Sequence, residues 1–240
     1  MIEFDNTNWA RPDFVQQYRD NADIYIVERR RMLEIMKSFY RYFISNQESA
    51  VILDLGCGDG IITHELLSID KSIRATLIDG SDDMLLKAKK RLKDFPDILF
   101  QKISFQEILQ YGSLNNAYDF IVSSQAIHHL SRDEKRHFYE LISSHLHPNG
   151  FFMNIDVTIA PVDSLEQWYM KLWQEWMDTE KTALGITGDP FNDVISRFKE
   201  AEENRPDTLE SQLNVLKDIG FRNVDCFYKY GIFAVFGGMK

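Results

Sequence analysis

Hydrophobic positions change period along this chain, and the changes mark its elements. In "MLEIMKSFYRYF", Met32, Ile35, Met36, Phe39, Tyr40 and Phe43 recur at helical spacing. After Glu48, short apolar runs begin to alternate with helical stretches. "AVILDL" predicts a buried strand, followed by a helix over residues 60–68. "IRATLID" predicts the next strand and "SDDMLLKAKKRLKDF" the next helix. "ILFQKI" and "YDFIVSSQ" read as the third and fourth strands. "EKRHFYELISSHL" reads as a helix closed by "HPNG", and "GFFMNIDV" as a fifth strand. Strands alternating with helices of this length imply parallel βαβ units.

The rhythm breaks over residues 158–208. "DSLEQWYMKLWQEWM" puts Leu165, Trp168, Tyr169, Leu172, Trp173 and Trp176 on one helical stripe, with Asp163 and Glu166 suggesting an N-terminal cap. "LGITGDPFND" is a loop. "DTLESQLNVLKDIG" is helical and ends at Gly220. "NVDCFYKY" and "IFAVFGG" then form a hairpin through Gly231. The expected fold is α/β: a Rossmann-like, seven-stranded, mostly parallel sheet with a reversed last strand, helices on both faces and a helical insert after strand five. Residues 1–240 read as one domain. Residues 1–45 form an N-terminal arm and helix, and 158–208 the insert.

Composition narrows the class. The chain has 240 residues, 44% of them hydrophobic, enough for one sizeable core. Its net charge of −10 gives no general attraction to nucleic acid or anionic membranes. No apolar run is long enough to span a bilayer. "MIEFDNTNWA" lacks the layout of a signal peptide. Two distant cysteines, Cys57 and Cys226, offer neither a disulfide framework nor a zinc site. A cytoplasmic protein without a metal centre is expected. Arg29, Arg30 and Arg31 read as a solvated helix face.

The chemistry starts at "VILDLGCGDG", residues 51–60. A strand ends at Asp54, and Gly56, Gly58 and Gly60 turn the chain into a helix whose first N–H groups face outward. Gly56 permits a tight turn, and Gly58 lets a ligand pass close to the backbone. Asp79, at the end of the next strand, stands where an acid usually binds ribose hydroxyls. The third glycine comes one residue early for a dinucleotide site. Asp54 would repel a pyrophosphate but would suit an ammonium group. A ligand with a ribose and an amino-acid end, such as S-adenosylmethionine, fits both observations.

"VILDLGCGDG", "LIDGS", "YDFIVSSQAIHHL" and "LHPNGFFM" resemble, in order, the motifs of class I S-adenosylmethionine-dependent methyltransferases over residues 48–158. The resemblance implies that Gly56 and Gly58 line the methionine portion of the cofactor, with Asp54 and the Ser123–Ser124 backbone near its amino group. Asp79 would hold the ribose, and Gly80, Ser81 and Met84 would border the adenine. Ser104 stands where the family often has an acid for the adenine amino group, and Phe105 beside it could pack on the ring. Cys57 occupies a slot that commonly holds a small residue.

Transfer from a sulfonium needs alignment, and a base where the acceptor carries a proton. His128 and His129, just past the fourth strand, are the catalytic candidates; orienting the loop is their alternative role. Asp156 would bind an acceptor amine or hydroxyl, or cap the next turn. Tyr18 would close over the cofactor. Trp173 and its stripe would serve as an acceptor wall, as core or as the face of a homodimer. The expected substrate is a small molecule, rather than nucleic acid, with the acceptor between the arm and residues 160–200. The layout after residue 158, ending in "YKYGIFAVF", is also similar to carboxy-S-adenosylmethionine synthases of wobble-uridine modification. Those enzymes modify the cofactor itself, using an arginine to hold an added carboxylate. Arg197 and Arg205 lie in the corresponding region. A non-catalytic cofactor-binding partner subunit is a third reading.

Overall fold

The computed structural model describes residues 3–45, 49–112, 114, 117–188 and 190–240. Of the expected loop "LGITGDPFND", Asp189 lies outside them. Seven strands form one sheet in the order β3-β2-β1-β4-β5-β7-β6. They are β1 (Val51–Leu55), β2 (Arg74–Asp79), β3 (Ile98–Lys102), β4 (Tyr118–Ser124), β5 (Leu146–Val157), β6 (Arg222–Tyr230) and β7 (Phe233–Met239). The first five run parallel, and β7 pairs antiparallel with both β5 and β6. The expected sheet, its reversed last strand and the helical insert after β5 are all present. Among the described residues, no helix is long and apolar enough to cross a membrane.

Strand alternation explains why the sheet is covered on both faces. Ile52 of β1 joins one buried cluster with Leu77, Phe120 and Met153. Leu53, its neighbour, joins the other with Ile78, Ile121 and Phe152. Successive side chains of a strand point to opposite faces, so each strand feeds both layers. The first layer takes α3 (Arg29–Phe43), through Met32, Met36 and Tyr40, and α4 (Ile61–Leu67). The second takes α7 (Arg132–Ser144), through Phe138, Tyr139 and Ile142, and α10 (Leu209–Ile219), through Leu216.

Three local expectations are corrected. "HPNG" does not close a helix: β5 begins at Leu146 and runs through it, with a register shift opposite Tyr118 and Phe120. Asp163 does not cap α8 (Asp163–Ala183). Val162 is the cap residue, and Glu166 instead accepts from the Ala160 N–H at 2.6 Å. A helix absent from the periodicity, α6 (Phe105–Tyr111), follows β3 behind a Ser104–Glu107 capping box. Before α3, the arm forms two single 3-10 turns, α1 (Pro12–Asp20) and α2 (Ala22–Tyr25). It is tied to the insert where Trp173 Nε1 donates to the Tyr25 carbonyl at 2.8 Å. In the α3 region, Arg29 and Arg30 pair with Asp23 at the surface.

Close approach of β7 to β5 requires Gly237. A Cβ there would lie 2.0 Å from the Phe152 carbonyl oxygen. That atom is backbone and cannot rotate away. Gly237→Ala should therefore lower the free energy of unfolding by about 3 kcal/mol, at the upper end of overpacking costs. Urea denaturation measures it, and an alanine variant as stable as the parent would show that the two strands can part without loss.

Candidate functional site

The strand order reverses between β1 and β4, and their carboxyl ends open a crevice where ligands of open α/β sheets bind. Two cavities lie there. One, of about 120 Å3, is lined by Gly56, Gly58, Asp79, Gly80, Met84, Ser104, Phe105, Ser124 and His129, with Phe4, Thr7, Trp9 and Tyr18 from the arm among the others. The second, of about 450 Å3, lies in the usual size range for small-molecule sites. Its wall includes Tyr25, His128, Trp173, Arg197 and Phe198. Trp9, Tyr18 and Gln125 line both.

The glycine loop is fixed from below. Cys57 N–H donates to the Ile78 carbonyl at 2.9 Å, and Gly58 N–H to an Asp79 oxygen at 2.8 Å. Asp79 also accepts from Ser81 N–H at 2.8 Å. Burial raises its pKa to about 6, while these two N–H groups pull it down. Each carboxylate oxygen keeps acceptor capacity for a ligand hydroxyl. Gly58 has φ +53°, and a Cβ on it would meet only Met84 Sδ, at 3.9 Å, so its face is open to the cavity. At Gly56 a Cβ would instead strike Ala126 Cβ at 2.6 Å: that glycine admits the neighbouring loop. Phe4 packs over Gly80 in the same way. Cys57 is buried, and burial holds its thiol well above the usual range.

Asp54 is fully buried at the end of β1. One oxygen accepts from Thr63 Oγ1 at 2.7 Å, and the other, Oδ1, has no partner among the described residues. Burial raises its pKa to about 7, opposed by Thr63. An orphaned buried carboxylate oxygen is costly, and an ammonium group would satisfy it. Ser104 lines the smaller cavity and also caps α6: its hydroxyl donates to Glu107 at 2.8 Å and accepts from Glu107 N–H at 3.2 Å, which leaves one lone pair able to accept. Ser81 likewise caps α5 (Asp82–Arg91), accepting from Met84 N–H at 3.4 Å.

The two histidines face different chambers. His128 Nδ1 lies 2.6 Å from Asp156 Oδ1, and its backbone N–H donates to Asp156 Oδ2 at 2.9 Å. A carboxylate can only accept, so Nδ1 carries the proton and Nε2 the lone pair. Asp156 also accepts from Val157 N–H and Asn154 Nδ2. It sits behind His128, not on either cavity wall, which replaces the direct acceptor contact suggested for it. His129 Nδ1 donates to the Glu203 carbonyl at 3.1 Å, and its buried Nε2 has no partner. Burial, and the neighbouring His128, push its pKa well down, so the ring stays neutral. Trp9 packs edge-on against both His129 and Tyr18, with centroids 5.6 and 4.9 Å away. Burial pushes the Tyr18 hydroxyl up to about 12.

Of the two arginines, Arg197 on α9 (Val194–Glu200) lines the larger cavity, beside Tyr25 and 3.1 Å from the Asp193 carboxylate. Arg205 does not line it; its side chain lies 3.6 Å from Glu134, and its N–H donates to the His128 carbonyl. Trp173 is both core and cavity wall, whereas Trp168 is exposed. Among the described residues no group of His, Cys, Asp and Glu could hold a metal ion. Sequence reasoning missed Gln125 and the site role of Trp9. An aromatic in a polar arm was a usable signal for Trp9, but nothing marked Gln125.

Residues 52–150 match the family model of a methyltransferase domain. The chain is 25% identical over 226 residues to a carboxy-S-adenosyl-L-methionine synthase of Nautilia profundicola, covering 93% of this chain and 86% of that one. Its fold is similar to an O-methyltransferase family protein from Burkholderia thailandensis (TM-score 0.64, 11% identity, 97% of this chain). It spans 61% of the length of that protein. It is similar along nearly its full length to magnesium protoporphyrin IX methyltransferase from Synechocystis with bound SAH (TM-score 0.66, 11% identity, 97% and 96% covered). The fold is that of the class I S-adenosylmethionine-dependent methyltransferases. The matched domain marks an enzyme of that kind, with S-adenosylmethionine as its cofactor.

Asp54 supplies a pH test. Its folded pKa of about 7 lies above the ordinary 3.8. Its contribution to stability is therefore complete below the ordinary value and is lost as pH rises through about 7. Asp54→Asn should flatten the fall in urea stability of the ligand-free protein across that window. In the parent, calorimetry should show S-adenosylmethionine binding more tightly as pH rises and the proton leaves. An affinity that falls with pH would exclude an ammonium at Asp54.

Proposed function

We propose that this enzyme makes a carboxylated form of S-adenosylmethionine from a small carboxylic acid, in the manner of the synthase it is similar to over 93% of its length. The acid's C–COO bond would break to release carbon dioxide, one methyl C–H would be exchanged for the new C–C bond to it, and the proton lost there would end on the carbon that gave up the carboxylate, so that no oxidant or reductant is needed. The observation that carries this reading is the larger chamber, which meets the cofactor chamber at Trp9, Tyr18 and Gln125 and has Arg197 beside Tyr25 on its wall. A guanidinium presents paired N–H donors that match a carboxylate, and Arg197 offers one there; Arg11 also lines the chamber, but it is paired with Asp13 at the surface. In this reading Asp54 holds the cofactor's ammonium group and Asp79 its ribose hydroxyls. Gly80, Met84 and Phe105 border the adenine, and Gly58 leaves the methionine portion room. Bound there, the cofactor supplies a one-carbon group activated by its sulfonium. His129 offers a lone pair toward it, and His128, oriented by Asp156, offers another toward the acceptor chamber. Trp9 and Tyr18 exclude water from the junction, which strengthens these polar contacts.

Methyl transfer to a small protic acceptor is the second reading, and the His128–Asp156 pair favours it: a histidine held by a carboxylate is suited to take a proton from a hydroxyl or amine. Mass spectrometry of the cofactor that co-purifies with the protein separates the two. The first reading expects S-adenosylmethionine enlarged by one carboxylate. Finding the unmodified cofactor, together with labelled methyl on a small molecule from cell extract, would establish the second instead. Under the first reading, Arg197→Ala should reduce the carboxylated cofactor by roughly 10- to 100-fold without changing the urea midpoint. Under either, His128→Ala should slow turnover by about 10²–10⁴-fold if it moves the proton, with cofactor affinity retained.

A further inference from the structure

Gln125 has a side-chain nitrogen that nothing in the fold employs. It follows β4 with a left-handed backbone, φ +52°, a conformation that residues with a Cβ seldom adopt. Its backbone N–H donates to the Ile155 carbonyl at 2.8 Å, so the end of β5 holds the turn in place. The side chain is not needed for that. Its Nε2 is buried and has no hydrogen-bond partner among the described residues. The residue lines both chambers, with Trp9 and Tyr18.

Buried amide donors are nearly always paired. One left unpaired on a strained turn, where two ligand chambers meet, points to a ligand atom as its partner. An N–H donates, so that atom is an acceptor. A sulfonium and its methyl carry none, and the aromatic rings of Trp9 and Tyr18 suit their positive charge instead. Because Gln125 also lines the larger chamber, the acceptor is assigned to the group that joins the one-carbon unit, or to the molecule that brings it. The cofactor's own carboxylate and hydroxyl oxygens are the competing partners, and losing a contact to them would weaken the cofactor with and without the added carboxylate alike.

We infer that Gln125 is a specificity-determining residue whose Nε2–H donates to a carboxylate oxygen on the one-carbon group at the junction. This rests on the carboxylated-cofactor reading. Arg197 neutralises the charge from the chamber wall, and Gln125 recognises the oxygen at the point of transfer.

Calorimetry with two probes tests it: S-adenosylmethionine, and the S-carboxymethyl sulfonium of S-adenosylhomocysteine, which differs only by the carboxylate. The parent should bind the carboxymethyl probe more tightly. Gln125→Leu should bind S-adenosylmethionine as the parent does and weaken the carboxymethyl probe by roughly 10- to 100-fold. Gln125→Glu, of the same shape but with an acceptor facing the carboxylate, should weaken it at least as much. A preference that survives in both variants overturns the role of Gln125 and leaves the carboxylated product standing. Equal loss of both probes in the variants makes the residue structural and also overturns it. A parent with no preference removes the carboxylated-product reading and the role of Gln125 together.

Discussion

The site depends on β1 and β4 lying side by side in the same direction. Asp54 pairs in register with Val122, and Leu55 with Ser123. The chain leaves β1 toward β2 on one side and leaves β4 toward β5 on the other. The chain diverges between these departures, so a crevice opens there, covered by the arm. Two charged groups are set by the same geometry. Asp54, next to last in β1, is buried beneath the crevice, and Asp79 receives the glycine loop from the next strand. His128 and His129 enter from the turn after β4.

Above this frame, the site is divided by protonation. Both histidines use Nδ1 to hold the protein together, one through a carboxylate and one through a carbonyl. The difference in partner separates their chemistry. The carboxylate behind His128 fixes the orientation of its ring and turns Nε2 toward the larger chamber. Burial, and then the neighbouring His128, hold the His129 ring neutral, against the pull of its carbonyl partner. Their rings lie 4.0 Å apart between centroids, and two charges at that distance would oppose one another.

Most of the sheet was legible because its strands are short apolar runs with turn residues at their ends, and burial on both faces leaves them no other place. The glycine loop and its two acids were legible as a place for a different reason: glycines packed between a strand and a helix, with an acid on the next strand, mark a turn drawn close to its neighbour, and Gly58 N–H does donate to Asp79. Failures fell where tertiary contact overrides local preference. "HPNG" looks like a helix stop, yet pairing with β4 draws it into β5. α6 was announced by Ser104 and Glu107, a capping signal that a search for apolar periodicity passes over. Asp156 reads as an exposed strand-end acid, and only the fold brings His128, 28 residues earlier, onto it. Gln125 could not be singled out, since what sets it apart is a side-chain nitrogen with no partner among the described residues, and absence of a bond has no spelling in sequence.

Trp9 and Tyr18 form a common wall for both chambers. Their rings cannot settle on one occupant without changing what the other meets. The free energies of the two binding events are then linked, and linkage is reciprocal: whatever the first molecule does to the affinity of the second, the second does to the first. A wall set by one ligand would leave less disorder for the second to remove. Two molecules bound on either side of this partition would thus act as one cooperative unit through the rings they share.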